Sequence, residues 1–331
     1  MTRVLVTGAT GFIGRALSSG LLSSGFCTRV TARTGSLSQL LPAHGFERAI
    51  VGDLNASTNW SSALMNVDCV IHCAAQTPLK NADSGDFVES YRTINVEGTR
   101  RLAEQAATAG IKRFVYLSSI KANNEGSNGS SNYSSVTLPL ISGMVGSFTP
   151  DGAQPRDAYG ASKFEAEQVL WDISAKTGLQ VVVVRLPLVY GPGVKGNLER
   201  LLRLVRLGLP LPLGAVRNKR SFIGLDNLVD FLICCVDHPA AAGQTLLVSD
   251  GDDISTPDLL RHVAAAMGLT IRFCFVPVPL LRALCAVIGK RAEIDRLVES
   301  LQIDSGPTRR VLGWNPPLSV HEGIRRMVQG K

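Results

Sequence analysis

At 331 residues, 45% of them hydrophobic, the chain can bury a sizeable core as one large domain or two intimate ones, which excludes a disordered or fibrous protein. Its 34 basic and 27 acidic residues leave a formal charge of +7, concentrated around 200–206, 217–220 and 309–326; without aromatic interleaving or a nucleic-acid module, that surplus suits a small polyanion such as a nucleotide diphosphate better than a nucleic acid. Seven cysteines with no C-x-x-C pair, mostly inside apolar runs, read as reduced buried thiols and suggest no metal site.

The first predicted element is a buried strand over 3–7, followed by a helix over 12–22 whose apolar residues recur at helical spacing. Between them TGATGFIG sets Gly8, Gly11 and Gly14 where strand turns into helix. There Gly8 permits the tight turn, Gly11 removes a side chain that would collide with a pyrophosphate, and Gly14 lets helix and strand pack closely. The N–H groups at the helix start then face the phosphates. An ordinary flexible turn is the alternative, and the order strand, glycines, helix argues against it. No charged segment precedes an apolar one at the start, so a cytoplasmic location is expected and export is not.

Further strands are predicted over 27–32, 48–51, 68–73, 113–117 and 180–186, with long helices over 87–109 and 158–177. This alternation predicts an α/β fold, a Rossmann-type doubly wound parallel sheet that binds ligands over the carboxyl ends of its strands. Residues 122–155 turn rich in Ser, Asn and Gly and read as a loop, either a lid over the substrate or a tolerated insertion. Beyond Pro187 short helices over 198–207, 257–267, 280–288 and 321–328 suggest a smaller substrate-binding domain. The expected division is 1–186 with about 222–237 for the nucleotide, and 187–221 with 238–331 for the substrate. The longest apolar run, CFVPVPLL at 274–281, is too short to cross a bilayer, so no membrane insertion is expected. It reads as a strand or loop leading into a buried helix, with a membrane-facing lip as the lesser alternative.

The sharpest chemical signal is DAYGASKFEAE, which puts Tyr159 and Lys163 four residues apart on one helix face. An ammonium beside a phenol is expected to lower its pKa, so that Tyr159 can exchange a proton with an alcohol while nicotinamide carries the hydride. A third partner should end the preceding strand, where FVYLSSIKA offers Ser118 and Ser119; adjacent strand residues point opposite ways, so one of them faces the site.

The G-x-x-G-x-x-G spacing and the Tyr/Lys pair together resemble the extended short-chain dehydrogenases/reductases of the NAD-dependent epimerase/dehydratase family. The resemblance implies Ser119, Tyr159 and Lys163 as the catalytic set. It places Gly8, Thr10, Gly11, Phe12, Ile13 and Gly14 on the cofactor, with Asp53 and Leu54 of GDL near the adenine and Cys73, Ala74 and Ala75 of HCAA lining it. Asn95 in TINVEGT takes a structural or proton-relay role, and Pro187 in RLPLVYGPG packs near the nicotinamide. Arg220 in RSFIGLDNLVD is the implied contact to a nucleotide-sugar pyrophosphate, a group the planar fork of an arginine suits, and Asn197 in KGNLERLL is the implied contact to the pyrophosphate or the sugar. The terminal RRVLGWNPPLSVHEGI also resembles nucleotide-sugar enzymes. Relatives often dimerise through helices near 87–109 and 158–177, so the resemblance implies a homodimer as the expectation here.

An acidic residue ending the second strand favours NAD, whereas an arginine accommodates the 2′-phosphate of NADP. Here VTARTGS carries Arg33 at that place, so NADP is expected, with NAD as the alternative. The family's dehydratases carry an Asp-Glu pair after the catalytic hydroxyl; Ile120 and Lys121 stand here, which disfavours dehydration. The block 220–264 is most similar to bacterial reductases of UDP-4-keto-6-deoxy-N-acetylhexosamines of O-antigen synthesis. The expected reaction is therefore 4-ketoreduction of a UDP-linked sugar, with UDP-hexose 4-epimerisation as the alternative. A non-catalytic nucleotide-binding sensor and a steroid-type dehydrogenase are the more distant readings.

Overall fold

Runs such as RVLVT, CVIH and QVVVVRL carry too little polarity for a half-exposed sheet, and in the computed structural model of the chain they lie side by side with helices over both faces. The structure describes residues 1–33, 45–78, 85–123, 130–134, 155 and 157–330. The expected loop over 122–155 lies mostly outside the described residues, and with it the lid reading.

The strands are β1 (Arg3–Thr7), β2 (Cys27–Ala32), β3 (Glu47–Ile50), β4 (Cys69–His72), β5 (Arg113–Ser119), β6 (Ser130–Ser134), β7 (Gln180–Leu186), β8 (Leu188–Tyr190), β9 (Phe222–Gly224), β10 (Gln244–Leu247) and β11 (Ser300–Asp304). Seven form one sheet in the order β10-β7-β5-β4-β1-β2-β3, every pairing parallel. The chain winds outward in one direction from β1 and in the other from β4. Their carboxyl ends therefore flank the crevice where such folds bind ligands. Register levels Thr7 with His72 and His72 with Tyr116, while Ser119 pairs with Leu186 three residues further along β5.

The first helices are α1 (Phe12–Ser23), α2 (Ser61–Leu64), α3 (Gly85–Tyr91), α4 (Gly98–Thr108), α5 (Ala158–Thr177), α6 (Asn197–Arg206) and α7 (Leu225–Asp237). They are followed by α8 (Thr256–Ala266), α9 (Val278–Val287), α10 (Arg291–Val298), α11 (Gly306–Leu312) and α12 (Val320–Gln329). One face of the sheet packs on α1 and α7, where Leu17, Leu21, Leu228, Phe231 and Leu232 are fully buried. Burying each such side chain contributes about 1.5–3 kcal/mol. Gly20 makes the close approach possible, since a Cβ there would stand 2.4 Å from Val229 Cγ1. The other face packs on α4 and α5. A further core joins α6, α8, α10 and α12.

Three features differ from expectation. The helix predicted over 87–109 is interrupted: residues Arg92–Glu97 form a π-helical segment between α3 and α4. Residues 244–247, expected in the smaller part, add strand β10 to the main sheet. And the helix after the apolar run at 274–281 is not buried, since Leu281 is the one buried residue of α9. No helix among the described residues is long and apolar enough to cross a membrane.

Candidate active site

At the β1–α1 junction Gly8 adopts φ 68°, a left-handed conformation that favours glycine. A Cβ at Gly14 would stand 2.2 Å from Gly8 O, and one at Gly8 would stand 2.7 Å from Ala74 N, so both positions are closed to any side chain. A Cβ at Gly11 would meet only Gly8 O, at 3.2 Å, and would otherwise project into open space. Gly11 is the N-cap of α1 and supplies no side chain to the N–H groups that follow. A tight turn, uncapped N–H donors and one bare side facing out fit a diphosphate. Across the cleft Thr7 ties β1 to β4: its Oγ1 lies 2.7 Å from His72 Nδ1 and accepts from Ala74 N at 3.2 Å. His72 Nε2 meets Thr99 Oγ1 at 3.0 Å. Burial, with the Lys163 charge adding to it, pulls His72 down to about 3 and keeps it neutral.

The carboxyl end of β5 and the first turn of α5 form the other wall. Ser118 turns inward and donates to Glu167, while Ser119 is half-buried and its Oγ accepts from Lys121 N at 3.3 Å. No described residue takes the Ser119 O–H, so that hydrogen is left unengaged among the described residues. Lys121 pairs with Asp157, and Asp157 caps α5 by accepting from Gly160 N at 2.7 Å. This fastens the turn after Ser119 to the start of α5. Gly160 is needed there, because a Cβ would lie 2.3 Å from Lys121 O.

Tyr159 is half-buried and packs edge-on against Tyr91, centroids 6.0 Å apart. Lys163 is buried; its Nζ donates to Leu117 O at 2.8 Å and sits 4.6 Å from the centre of the Tyr116 ring. The expected lowering of the phenol pKa is not found. Burial, Asp157 and Tyr91 all push Tyr159 upward, and the ammonium is engaged by a carbonyl and another ring. Burial pulls Lys163 itself down to about 8, with Glu167 and Cys73 opposing. Cys73 is pushed up to about 12 by burial and stays a thiol.

Asn95 lies in the π-helical segment. Its Oδ1 accepts from Gln76 N at 2.8 Å, and its Nδ2 donates to Gln76 O at 3.1 Å and Ser162 Oγ at 3.0 Å. It thus joins the loop after β4 to α5, a structural use. Behind the site Arg185 Nε donates to both oxygens of Glu167, at 3.0 and 3.2 Å. Glu167 and Arg185 were not singled out for function. The signal was present, since Glu167 stands four residues after Lys163 on the same helix face.

At the far end of the cleft Arg33 Nη1 meets Asp53 Oδ1 at 3.2 Å, both groups largely exposed. Leu54 packs on the first turn of α4, and Pro187 is buried between β7 and β8. Asn197 is exposed at the start of α6. Arg220 donates through Nη1 to the carbonyls of Arg296 and Glu299, at 2.9 and 3.0 Å, which caps the end of α10.

A doubly wound sheet with a bare glycine turn beside its switch point and a Tyr-x-x-x-Lys helix across from it is the architecture of NAD-binding Rossmann-type proteins. The chain belongs to the NAD dependent epimerase/dehydratase family, whose model matches residues 4–248. It is 39% identical over 330 residues to UDP-glucose 4-epimerase of Vibrio cholerae, covering 98% of this chain and 94% of that one. Among solved structures it resembles UDP-glucuronic acid 4-epimerase from Bacillus cereus in complex with NAD, at TM-score 0.75 and 20% identity over 99% and 96% of the two chains. MoeE5 in complex with UDP-glucuronic acid and NAD aligns at TM-score 0.72 and 25% identity over 99% and 98%.

Proposed function

We propose that this protein interconverts C4 epimers of a UDP-linked hexose or N-acetylhexosamine on a retained NAD. The Vibrio cholerae relative, matched over nearly its whole length, supports the substrate class. The observation that carries the choice of cofactor, and with it the reaction type, is the Arg33–Asp53 pair. The arginine expected to welcome a 2′-phosphate has its charge offset by a carboxylate 3.2 Å away, and that carboxylate would repel the phosphate. NAD therefore suits the site, and NAD is the dinucleotide bound in the two solved structures named above. A retained cofactor that is reoxidised each cycle fits epimerisation better than a reductase fed from solution.

In this reading Ser119 donates its hydroxyl hydrogen to the C4 oxygen and fixes the sugar. Tyr159 takes the proton of the C4 hydroxyl as the alcohol becomes a ketone and returns it to that oxygen as the ketone becomes an alcohol. Lys163, tied to Leu117 O, contributes a buried positive charge to the site as a whole and not a direct contact with the phenol. Bound nicotinamide supplies the hydride acceptor and donor. Lys121, held by Asp157, occupies a place where dehydration would need an acid or base. Asn197 and Arg220 remain the proposed pyrophosphate contacts. The second reading, 4-ketoreduction with NADPH, is favoured by the presence of Arg33 at the end of β2.

Purified protein incubated with UDP-glucose and no added cofactor should form UDP-galactose. Oxidation of NADPH seen only with UDP-4-keto-6-deoxy-N-acetylglucosamine would replace this reading by the second. Asp53→Asn should shift the NADP-to-NAD affinity ratio toward NADP by about fivefold, the scale of a screened exposed pair, as read by fluorescence titration with each dinucleotide. An unchanged ratio would remove the pair from cofactor choice.

A further inference from the structure

Segment 274–289 reads CFVPVPLLRALCAVIG, and Arg282 is its only charged residue. That charge is folded back onto the neighbouring helix: Arg282 bonds Asp295 at 2.7 Å and Glu299 at 3.4 Å. The exposed positions of α9 are Pro279, Leu280, Ala283, Leu284, Ala286 and Val287, all apolar. Leu280, Leu284 and Val287 follow the i, i+4, i+7 spacing of one stripe. Val287 is 87% exposed, and Phe275 and Ile288 at the two ends of the helix are 74% and 64% exposed. So continuous an apolar face marks a contact surface rather than scattered surface residues.

The charge around it is one-sided. Residues 195–220 and 270–300, whose buried apolar side chains share one core, hold twelve basic and four acidic residues; the rest of the chain holds 22 and 23. The whole positive surplus therefore lies in the part that carries α9. At its edges Arg272 and Lys290 are exposed and make no ion pair among the described residues, and Arg291 follows directly. Two copies meeting through this face would bring two cationic rims together. A layer of anionic headgroups over an apolar interior complements both the rim and the stripe.

We propose that the outer face of α9 docks the protein reversibly on an anionic lipid bilayer, with the stripe at the headgroup boundary and the cationic rim on the headgroups. The inference is independent of the reaction. Full-length protein should float with vesicles of 30% phosphatidylglycerol in phosphatidylcholine, and not with phosphatidylcholine alone. The double variant Leu284→Glu/Val287→Glu should lose at least tenfold in partitioning, and Arg272→Glu/Lys290→Glu should lose a similar amount and reduce the sensitivity to salt. All four positions lie at the surface, and unchanged thermal unfolding checks that each variant is folded. Wild-type protein that stays behind with the phosphatidylglycerol vesicles, or an apolar-stripe variant that floats as well as wild type, would overturn the proposal. A wild-type oligomer that ignores vesicles and is split by Val287→Glu would assign the face to a second copy instead.

Discussion

Tyr159→Phe should lower kcat by about 10²–10⁴-fold while leaving NAD affinity nearly unchanged, the usual scale for removing a positioned acid-base group. The lost atom is one hydroxyl of a half-buried ring, so the edge-on packing against Tyr91 survives and the loss reads chemistry rather than folding. The pH profile carries a second part of the argument. Lys163, pulled down to about 8 by burial, is an ammonium below that value and loses its charge above it. Activity that depends on the charge should fall as pH rises through about 8, and Lys163→Met should abolish that alkaline limb along with most of the rate. Stability runs the other way: the unfolded lysine holds its proton more tightly, so between about 8 and the ordinary 10.5 this group makes the fold more stable as pH rises. A kcat for Tyr159→Phe within threefold of wild type would exclude the phenol as the proton carrier.

Glu167→Ala should destabilise the protein by about 3–5 kcal/mol, read as a lower urea midpoint, because it strands the guanidinium of Arg185 in the interior. The Glu167 side chain is 1% exposed and that of Arg185 10%, so water cannot take the place of the lost carboxylate. Ser118 loses its acceptor in the same variant. A double variant, Glu167→Leu with Arg185→Met, should recover much of the loss, since no unpaired charge remains. Glu167 also raises the pKa of Lys163, so the alkaline limb of any surviving activity should move below about 8. A midpoint unmoved by Glu167→Ala would mean that Arg185 finds another partner.

The features legible in the sequence are those set by neighbours along the chain. Helix α5 could be bounded from Asp157, which caps its start, and from Gly178, which ends it in a left-handed conformation. The glycine turn and the spacing of Tyr159 and Lys163 are local in the same sense. The π-helical segment was invisible because Asn95 is held by Gln76 and Ser162, far off in sequence. The direction of the Lys163 side chain depends on Leu117 O, a strand away, so spacing alone suggested a charge beside the phenol that the fold spends elsewhere. Strand β10 was missed because QTLL is short and its pairing with β7 spans more than sixty residues. The apolar run into α9 has the periodicity of a buried helix, and nothing local reveals that Arg282 folds onto α10 while Leu280 and Leu284 face outward.

The return of α7 and β10 to the main sheet bears on how the polypeptide can be made. A nascent chain that has emerged only as far as residue 221 has no cover for Leu17 and Leu21 of α1 and no neighbour for the outer edge of β7. Trp314, packed edge-on against Phe231 and bonded to Asp230, arrives later still. The amino-terminal half therefore cannot be cut out as a self-sufficient nucleotide-binding fragment, and its maturation must wait until translation has nearly finished.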